Sequence, residues 1–187
     1  MSSEPQQKPK LPPEYIPRVE KFLNKIKNNE LPETKFIEFL ESLIRPVLDE
    51  SFEDSELKDL VEKQISPLIG RKIWIKAKNQ NPVIIEITSP PDLIRFTTST
   101  EENVKNLNLP GVSYDIALIN DAIQNKLNPL MALTSGKINV TGLPELIKMG
   151  SPLMTAMKPF KDRKNLEENL SRNVLSTLDR TLTETGC

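Results

Sequence analysis

The chain has 187 residues, with 25 basic and 26 acidic side chains and a formal net charge of −1. That length is enough for one domain with a substantial hydrophobic core. Because charge is nearly balanced and Lys and Arg are spread along the chain, the basic stripe of a nucleic-acid binder is missing. We therefore expect no nucleic-acid partner.

Histidine is absent, and Cys187 is the single cysteine. These absences remove the commonest general base, the commonest zinc ligand and the Ser-His-Asp and Cys-His arrangements. Acidic residues fall at helical spacing among lysines, as in EFLESL and LKDLVEK, which is typical of solvated helix faces. Although catalysis by carboxylates or lysine stays open, the sequence favours a protein that is not an enzyme and has no metal or cofactor.

The first residues, MSSEPQQKPK, lack the charged-then-apolar order of a secretory leader. No uncharged apolar run reaches the roughly 20 residues that a membrane crossing requires. We expect a soluble, cytoplasmic protein. Residues 1–13 are rich in Pro, Lys, Gln and Ser, which predicts a disordered tail.

Three amphipathic helices are predicted next. Apolar residues recur at three- and four-residue steps from Tyr15, then over residues 32–49 and again over 55–69. Pro46 is expected to bend or shorten the second helix. Gly70 is well placed to end the third.

The hydrophobic period then changes to two, which predicts strands. RKIWIKAK and PVIIEIT are joined by the Asn-rich turn NQNP and predict a β-hairpin. LIRFTTST predicts a third strand, VSYDIALI a fourth after a polar insert, and KINVT a fifth and shortest one. Each strand has one strongly apolar face, as expected of a sheet covered by helices on one side.

Helical patterns flank the predicted fifth strand. Asn120 or Asp121 is expected to cap a short helix, and Asn128-Pro129 to begin another one. The apolar run LPELIKMGSPLMTAMKPF follows the strand, and its Gly-Ser-Pro at residues 150–152 is expected to interrupt the helix. Beyond Lys161 the composition predicts a charged amphipathic helix, and the last residues, TETGC, are expected to be loose.

The stretch KLNPLMALTSGKINVTGLPELIKM resembles the sterol carrier protein type two family. The shared pattern is a lysine and a hydrophobe before Asn-Pro, an alanine in the helix, Gly-Lys-hydrophobe-x-hydrophobe-x-Gly, and a leucine-rich helix. The strand before it, YDIALI, is similar to the family's acidic-flanked strand. The resemblance covers roughly residues 52 to 160. The matching positions are Lys126, Leu127, Asn128, Pro129, Ala132, Gly136, Lys137, Ile138, Val140, Gly142 and Leu146.

The resemblance implies an α+β fold with a five-stranded, mostly antiparallel sheet covered on one face by helices. A tunnel between the two layers would take fatty acyl chains, acyl-CoA or sterols. The implied lipid-binding domain is residues 51–160, with an N-terminal helical extension at 14–50 and a charged amphipathic helical tail at 161–187. The implied function is non-catalytic binding and transfer of a lipid-like ligand of fatty acyl, sterol or prenyl type.

Four of the chain's 5 methionines lie in the two segments that flank the predicted fifth strand. Methionine is flexible and polarizable, so it is able to line a cavity that accepts variable shapes. A closed core in which methionines fill gaps is the alternative. The candidate cavity-lining residues are Ile85, Ile87, Phe96, Leu127, Leu130, Met131, Ile138, Val140, Leu146, Ile147, Met149, Leu153, Met154 and Met157.

A second interpretation is an accessory or dimerisation module that docks to an enzyme partner, or to a second copy, without carrying lipid. Its docking face would be one of two apolar sets, which alternatively cover the protein's own sheet and helices. The first set is Phe22, Phe36 and Phe39, and the second is Leu166, Leu170 and Val174.

A third interpretation adds transient contact with a membrane surface. Basic residues directly follow the apolar LMTAM segment, an arrangement that suits anionic lipid. The same charges are alternatively a solubilising collar, diluted by nearby acidic residues. The basic residues are Lys158, Lys161, Arg163 and Lys164.

Overall fold

The computed structural model describes residues 11–53, 55–124, 126–156 and 164–187. These residues form an α+β fold with an open five-stranded sheet packed against helices, as predicted. The helices are α1 Tyr15–Lys27, α2 Glu33–Glu53, α3 Ser55–Ile65, α4 Glu101–Asn106, α5 Ala117–Ile123, α6 Pro129–Thr134, α7 Leu143–Ala156 and α8 Lys164–Glu184. The strands are β1 Lys72–Ala77, β2 Val83–Ile87, β3 Ile94–Thr98, β4 Gly111–Tyr114 and β5 Ile138–Thr141.

The strand order is β3-β2-β1-β4-β5, and the sheet is mostly antiparallel. β1 and β2 form the predicted hairpin, whose turn holds Asn79 at a φ of 67°. β1 and β4 pair in parallel, which requires the crossover that β2, β3 and α4 supply. β5 pairs antiparallel with β4 at one edge of the sheet.

The register places apolar side chains from all five strands on one face, whereas Trp74 and Ile84 lie on the other. Ile75 on β1 pairs with Val112 on β4, and Val112 in turn pairs with Val140 on β5. Since side chains alternate along a strand, their neighbours two residues away share that face. We call it the apolar face: Ile73, Ile75, Ala77, Val83, Ile85, Ile87, Ile94, Phe96, Val112, Tyr114, Ile138 and Val140.

The first buried cluster joins the helices at the two ends of the chain to one end of the sheet. Phe22 of α1 and Phe39 of α2 stack with ring centroids 4.9 Å apart. Leu178 and Leu182 of α8 are buried with them, and so is Ala77 at the end of β1. The N-terminal extension and the C-terminal helix therefore pack on each other and on the sheet.

The second buried cluster lies at the other end of the sheet. Val61 and Ile65 of α3 pack with Met149 of α7 against Ile87 of β2 and Leu93. These side chains lie between 0% and 7% exposed. Helices thus cover the apolar face most completely at its two ends.

The predicted fourth strand over residues 112–119 is wrong in its second half. β4 ends at Tyr114, and α5 begins at Ala117, whose amide donates to Asp115 Oδ1 across 3.0 Å. This side-chain acceptor offers the backbone an alternative to the strand ladder. Ile116 and Leu118 are buried in helical geometry, and the expected cap at Asn120 or Asp121 falls inside α5 instead.

The expected shortening of α2 at Pro46 and the expected interruption of α7 near Pro152 are both wrong, whereas a bend at Pro46 stays a prediction. Pro46 lies inside α2, which continues to Glu53 and is not shortened there. Pro152 lies inside α7, which runs unbroken over the expected interruption at Gly150. Proline removes one helical hydrogen bond, but burial of apolar side chains on both helices, such as Phe39 and Met149, favours the continuous helix.

The third predicted helix ends earlier than expected. α3 stops at Ile65, and a 3-10 turn over Ser66–Leu68 follows, with Pro67 near its start. Proline disfavours helical backbone at the residue before it, which accounts for the change. The polar insert after β3 forms α4, which the sequence pattern does not predict. Thr100 caps it by accepting from the Asn103 amide at 3.1 Å.

The C-terminal residues are held, not loose. Arg18 Nε donates to the Cys187 carbonyl across 3.1 Å, and Lys25 Nζ donates to the Thr185 carbonyl across 2.7 Å. Thr185 is buried, and Cys187 packs on the first cluster. Residues 1–10 of the predicted disordered tail lie outside the described residues, and Leu11 contacts the first cluster.

Candidate functional site

The middle of the apolar face belongs to neither buried cluster formed by the described residues. On β1, Ile73 contacts the second cluster and Ala77 belongs to the first, whereas Ile75 between them is in neither. Six such apolar side chains lie on the five strands and remain half-buried. We call them the central strip: Ile75, Ile85, Phe96, Val112, Ile138 and Val140.

Direct cross-strand pairs join the strip on each side of the sheet, and Ile75 and Ile85 are diagonal neighbours between them, since Ile75 pairs with Val83 and Ile85 with Ile73. Phe96 faces Ile85 across β3 and β2, and Val140 faces Val112 across β5 and β4. β-Branched and aromatic side chains suit such pleated, half-buried surfaces. The alternation that brings them to one face sends the charged Lys76 and Glu86 to the other.

The chemistry of the strip is uniform. Its side chains carry no hydrogen-bonding or ionisable group, so they offer burial of apolar surface and no nucleophile, acid or base. The polar atom nearest in register is the phenol of Tyr114, which faces Ile138 across the strands. Burial raises the pKa of this phenol above its ordinary range, so the folded protein keeps the group neutral to a higher pH than the unfolded chain does.

The structure brings together some of the predicted cavity residues. Ile85, Phe96, Ile138 and Val140 lie in the central strip. Ile87 shares the apolar face but is 4% exposed within the second cluster. Met149 is also buried in that cluster, beside α3.

Four other predicted cavity residues differ in exposure. Leu127 and Leu146 are half-buried, whereas Met131 is 66% exposed and Ile147 is 60% exposed. The side chains of Leu130, Leu153 and Met154 fall outside the described part of the structure, and so does all of Met157.

Sequence reasoning missed two members of the strip, Ile75 and Val112. The alternation in RKIWIKAK and VSYDIALI puts both on apolar strand faces. Their place at the centre depends on the parallel pairing of β1 with β4, however, and a single-strand pattern carries no information on which strands become neighbours.

The alternative docking sets occupy different environments. Phe22, Phe36 and Phe39 are between 0% and 5% exposed, because they stack inside the first cluster. Val174 on α8 is half-buried. The side chains of Leu166, Leu170 and the basic residue Lys164 lie outside the described part, as do residues 158–163 with the rest of the basic set.

Comparisons with protein-family models, with curated proteins and with solved structures return no match for this chain. Within the described ranges, no helix is long and apolar enough to cross a membrane. The same ranges hold no group of three or more His, Cys, Asp or Glu residues that is placed to bind a metal ion.

Proposed function

We propose that the protein binds lipid-like apolar ligands, of fatty acyl, sterol or prenyl type, along the central strip and transfers them without catalysis. The observation that carries this proposal is the strip itself. Ile75, Val112 and Val140 are direct neighbours across three strands, are entirely apolar and are half-buried. They lie on the apolar face between the two clusters, where a fully packed core would bury them.

The energetics of such binding are favourable. Each buried methylene contributes about 0.8 kcal/mol, so about 14 methylenes would contribute about 11 kcal/mol. A micromolar Kd needs about 8 kcal/mol, which leaves a margin for the ordering of the chain. No charged clamp is needed, in agreement with a strip that has no ionisable group.

The first test is direct detection of cargo. The full chain is purified without detergent, extracted with organic solvent and analysed by mass spectrometry, with a mock purification as the control. We expect co-purified lipid in stoichiometric amount. After delipidation, a fatty acid at about 100 times its Kd should stabilise the fold by about 2.7 kcal/mol. This corresponds to a rise in Tm of about 5–10 °C.

The second test fills the strip. Val112→Phe adds a bulky side chain between Ile75 and Val140, so it should abolish lipid binding while the protein remains folded. Thr97→Phe adds a similar ring on the opposite face of β3 and should leave binding intact. Absence of cargo and of a thermal shift in the wild-type protein would contradict the proposal, and so would equal binding by the two variants.

A docking module is the second candidate, favoured by exposed apolar side chains on the helices that flank β5. Met131 and Leu133 of α6 are 66% and 46% exposed, and Leu143 and Ile147 of α7 are 55% and 60% exposed. Isolated exposed apolar residues are ordinary, but a group of them marks interaction surfaces. Mass in solution separates the candidates: a lipid-loaded monomer supports the carrier, and an obligate oligomer without lipid supports the module.

A further inference from the structure

A cavity of about 410 Å³ opens on the face of the sheet opposite the central strip. This volume falls within the range of small-molecule sites, about 300–1,000 Å³. α4 and the loop after it form one wall, and β1, β4 and β5 form the floor. The residues that line it are Trp74, Lys76, Pro82, Glu101, Val104, Lys105, Asn108, Leu109, Ser113 and Thr141.

The indole of Trp74 forms a fixed aromatic surface in this cavity. Its Nε1 donates to the Leu109 carbonyl across 2.9 Å. The ring lies against Gly111, where an added Cβ would come within 2.3 Å of it. Trp74 is therefore held by a hydrogen bond at its edge and by glycine backbone against its ring. A rigid indole of this kind is a platform on which planar rings stack.

Two ammonium groups accompany the indole. Lys76 lies two residues beyond Trp74 on the same face of β1, and Lys105 extends from α4. Glu101 forms an ion pair with Lys76 and lies 3.9 Å from Lys105 Nζ. These two lysines lower the pKa of the Glu101 carboxyl, with the Lys76 hydrogen bond as the largest cause. The three groups together carry one positive charge at neutral pH.

We infer that this cavity binds a small planar aromatic molecule that carries an anionic group, either a phosphate or a carboxylate. The ring would stack on Trp74, and the anion would take the place of Glu101 beside Lys76. Lysine serves as a point charge for such anions. The hydroxyl groups of Ser113 and Thr141 complete the polar lining. This site is independent of the lipid proposal, since it lies on the other face of the sheet.

The test uses the intrinsic fluorescence of the full-length protein, because Trp74 is the chain's single tryptophan. AMP and nicotinate supply a ring with a phosphate and a ring with a carboxylate. Adenosine and nicotinamide are the matched neutral probes, and inorganic phosphate is the anion alone. We expect saturable quenching by at least one anionic probe with a Kd at or below about 1 mM, and at least about tenfold weaker binding of its neutral partner.

Variants with opposite expected effects make the test specific. Lys76→Gln should weaken binding of the anionic probe about tenfold, whereas Glu101→Gln should tighten it, because Lys76 loses its internal partner. Lys105→Gln is a second variant that lowers affinity without touching the sheet. Lys63→Gln removes one exposed positive charge on α3, away from the cavity, and should change nothing.

The outcomes separate cleanly. Binding of AMP would identify the anion as a phosphate, and binding of nicotinate would identify it as a carboxylate. The inference is overturned if neither AMP nor nicotinate quenches saturably at about 1 mM. It is equally overturned if neutral and anionic probes bind alike, if inorganic phosphate alone accounts for binding, or if the glutamine variants at Lys76 and Glu101 bind as the wild type does.

Discussion

The rings of Phe22 and Phe39 stack 4.9 Å apart and join α1 to α2 inside the first cluster, where both are 0% exposed. Phe39→Ala should lower the free energy of unfolding by about 3–5 kcal/mol, because the buried ring is lost and a cavity remains. Urea denaturation monitored by circular dichroism measures the change. Ile147→Ala, at a site that is 60% exposed, is the control and should stay within about 0.5 kcal/mol of wild type.

Gly111 is close to the Trp74 ring, so its substitution tests how much that contact contributes to stability. Gly111→Ala places a Cβ 2.3 Å from the indole and should displace it from Leu109. We expect a loss of about 1–3 kcal/mol in stability, with a red shift of the tryptophan emission. An unshifted spectrum and unchanged stability would contradict the close packing.

Gly150 gives the opposite expectation from the same substitution. It lies inside α7, and an added Cβ would meet nothing within 4 Å. Gly150→Ala should raise stability by about 0.5–1 kcal/mol, because glycine loses more backbone entropy in a helix than alanine does. A rise in Tm measured by differential scanning fluorimetry would confirm this. A fall would indicate that the helix does not continue through residue 150.

The Tyr114 phenol predicts how stability depends on alkaline pH. Burial raises its pKa in the folded protein, whereas the unfolded chain ionises it above about pH 10. The stability that the neutral, buried phenol contributes is therefore fully present below that pH. Above it, this contribution falls by at most about 1.4 kcal/mol per pH unit. Tyr114→Phe removes the ionisable phenol and with it this dependence of stability on pH. Urea midpoints of the two proteins should diverge above about pH 10, and parallel curves would show that the phenol is not buried.

Asn128 caps α6 by accepting from the Met131 amide at 3.1 Å. Asn128→Ala should cost about 1 kcal/mol, because an amide at the helix start loses its partner. Asn128→Asp keeps the acceptor and serves as the matched control. Thermal unfolding should show a Tm lower by about 2–4 °C for the alanine variant, with the aspartate variant near wild type. Equal effects of the two changes would refute the capping role.

Local signals in the sequence predict much of the fold. Turn chemistry predicts the Asn-Pro start of α6 and the glycines around β5, and Gly136 and Gly142 have φ values of 69° and 68°. The hairpin of β1 and β2 follows from two alternating runs with a short turn between them. In each case the residues that determine the local structure lie within a few positions of one another in the sequence.

The failures have a different origin. VSYDIALI alternates regularly, but Asp115 supplies a side-chain acceptor that converts its second half into α5. α4 contains one buried side chain, Val104, so hydrophobic periodicity gives no helical signal there. The members of the candidate site are harder still to predict from the sequence, because Ile75 and Val112 become neighbours only when the distant strands β1 and β4 pair.

The parallel pairing of β1 with β4 divides the sheet into two antiparallel halves, residues 72–98 and 111–141. Trp74 N donates to the Pro110 carbonyl and Lys78 N to the Tyr114 carbonyl along this junction. A hydrocarbon lying over Ile75 and Val112 would touch both halves at once. Binding of the proposed lipid would therefore stabilise the hydrogen bonds between β1 and β4. Amide exchange at Trp74 and Lys78 should then be slower in the lipid-bound protein than in the lipid-free protein.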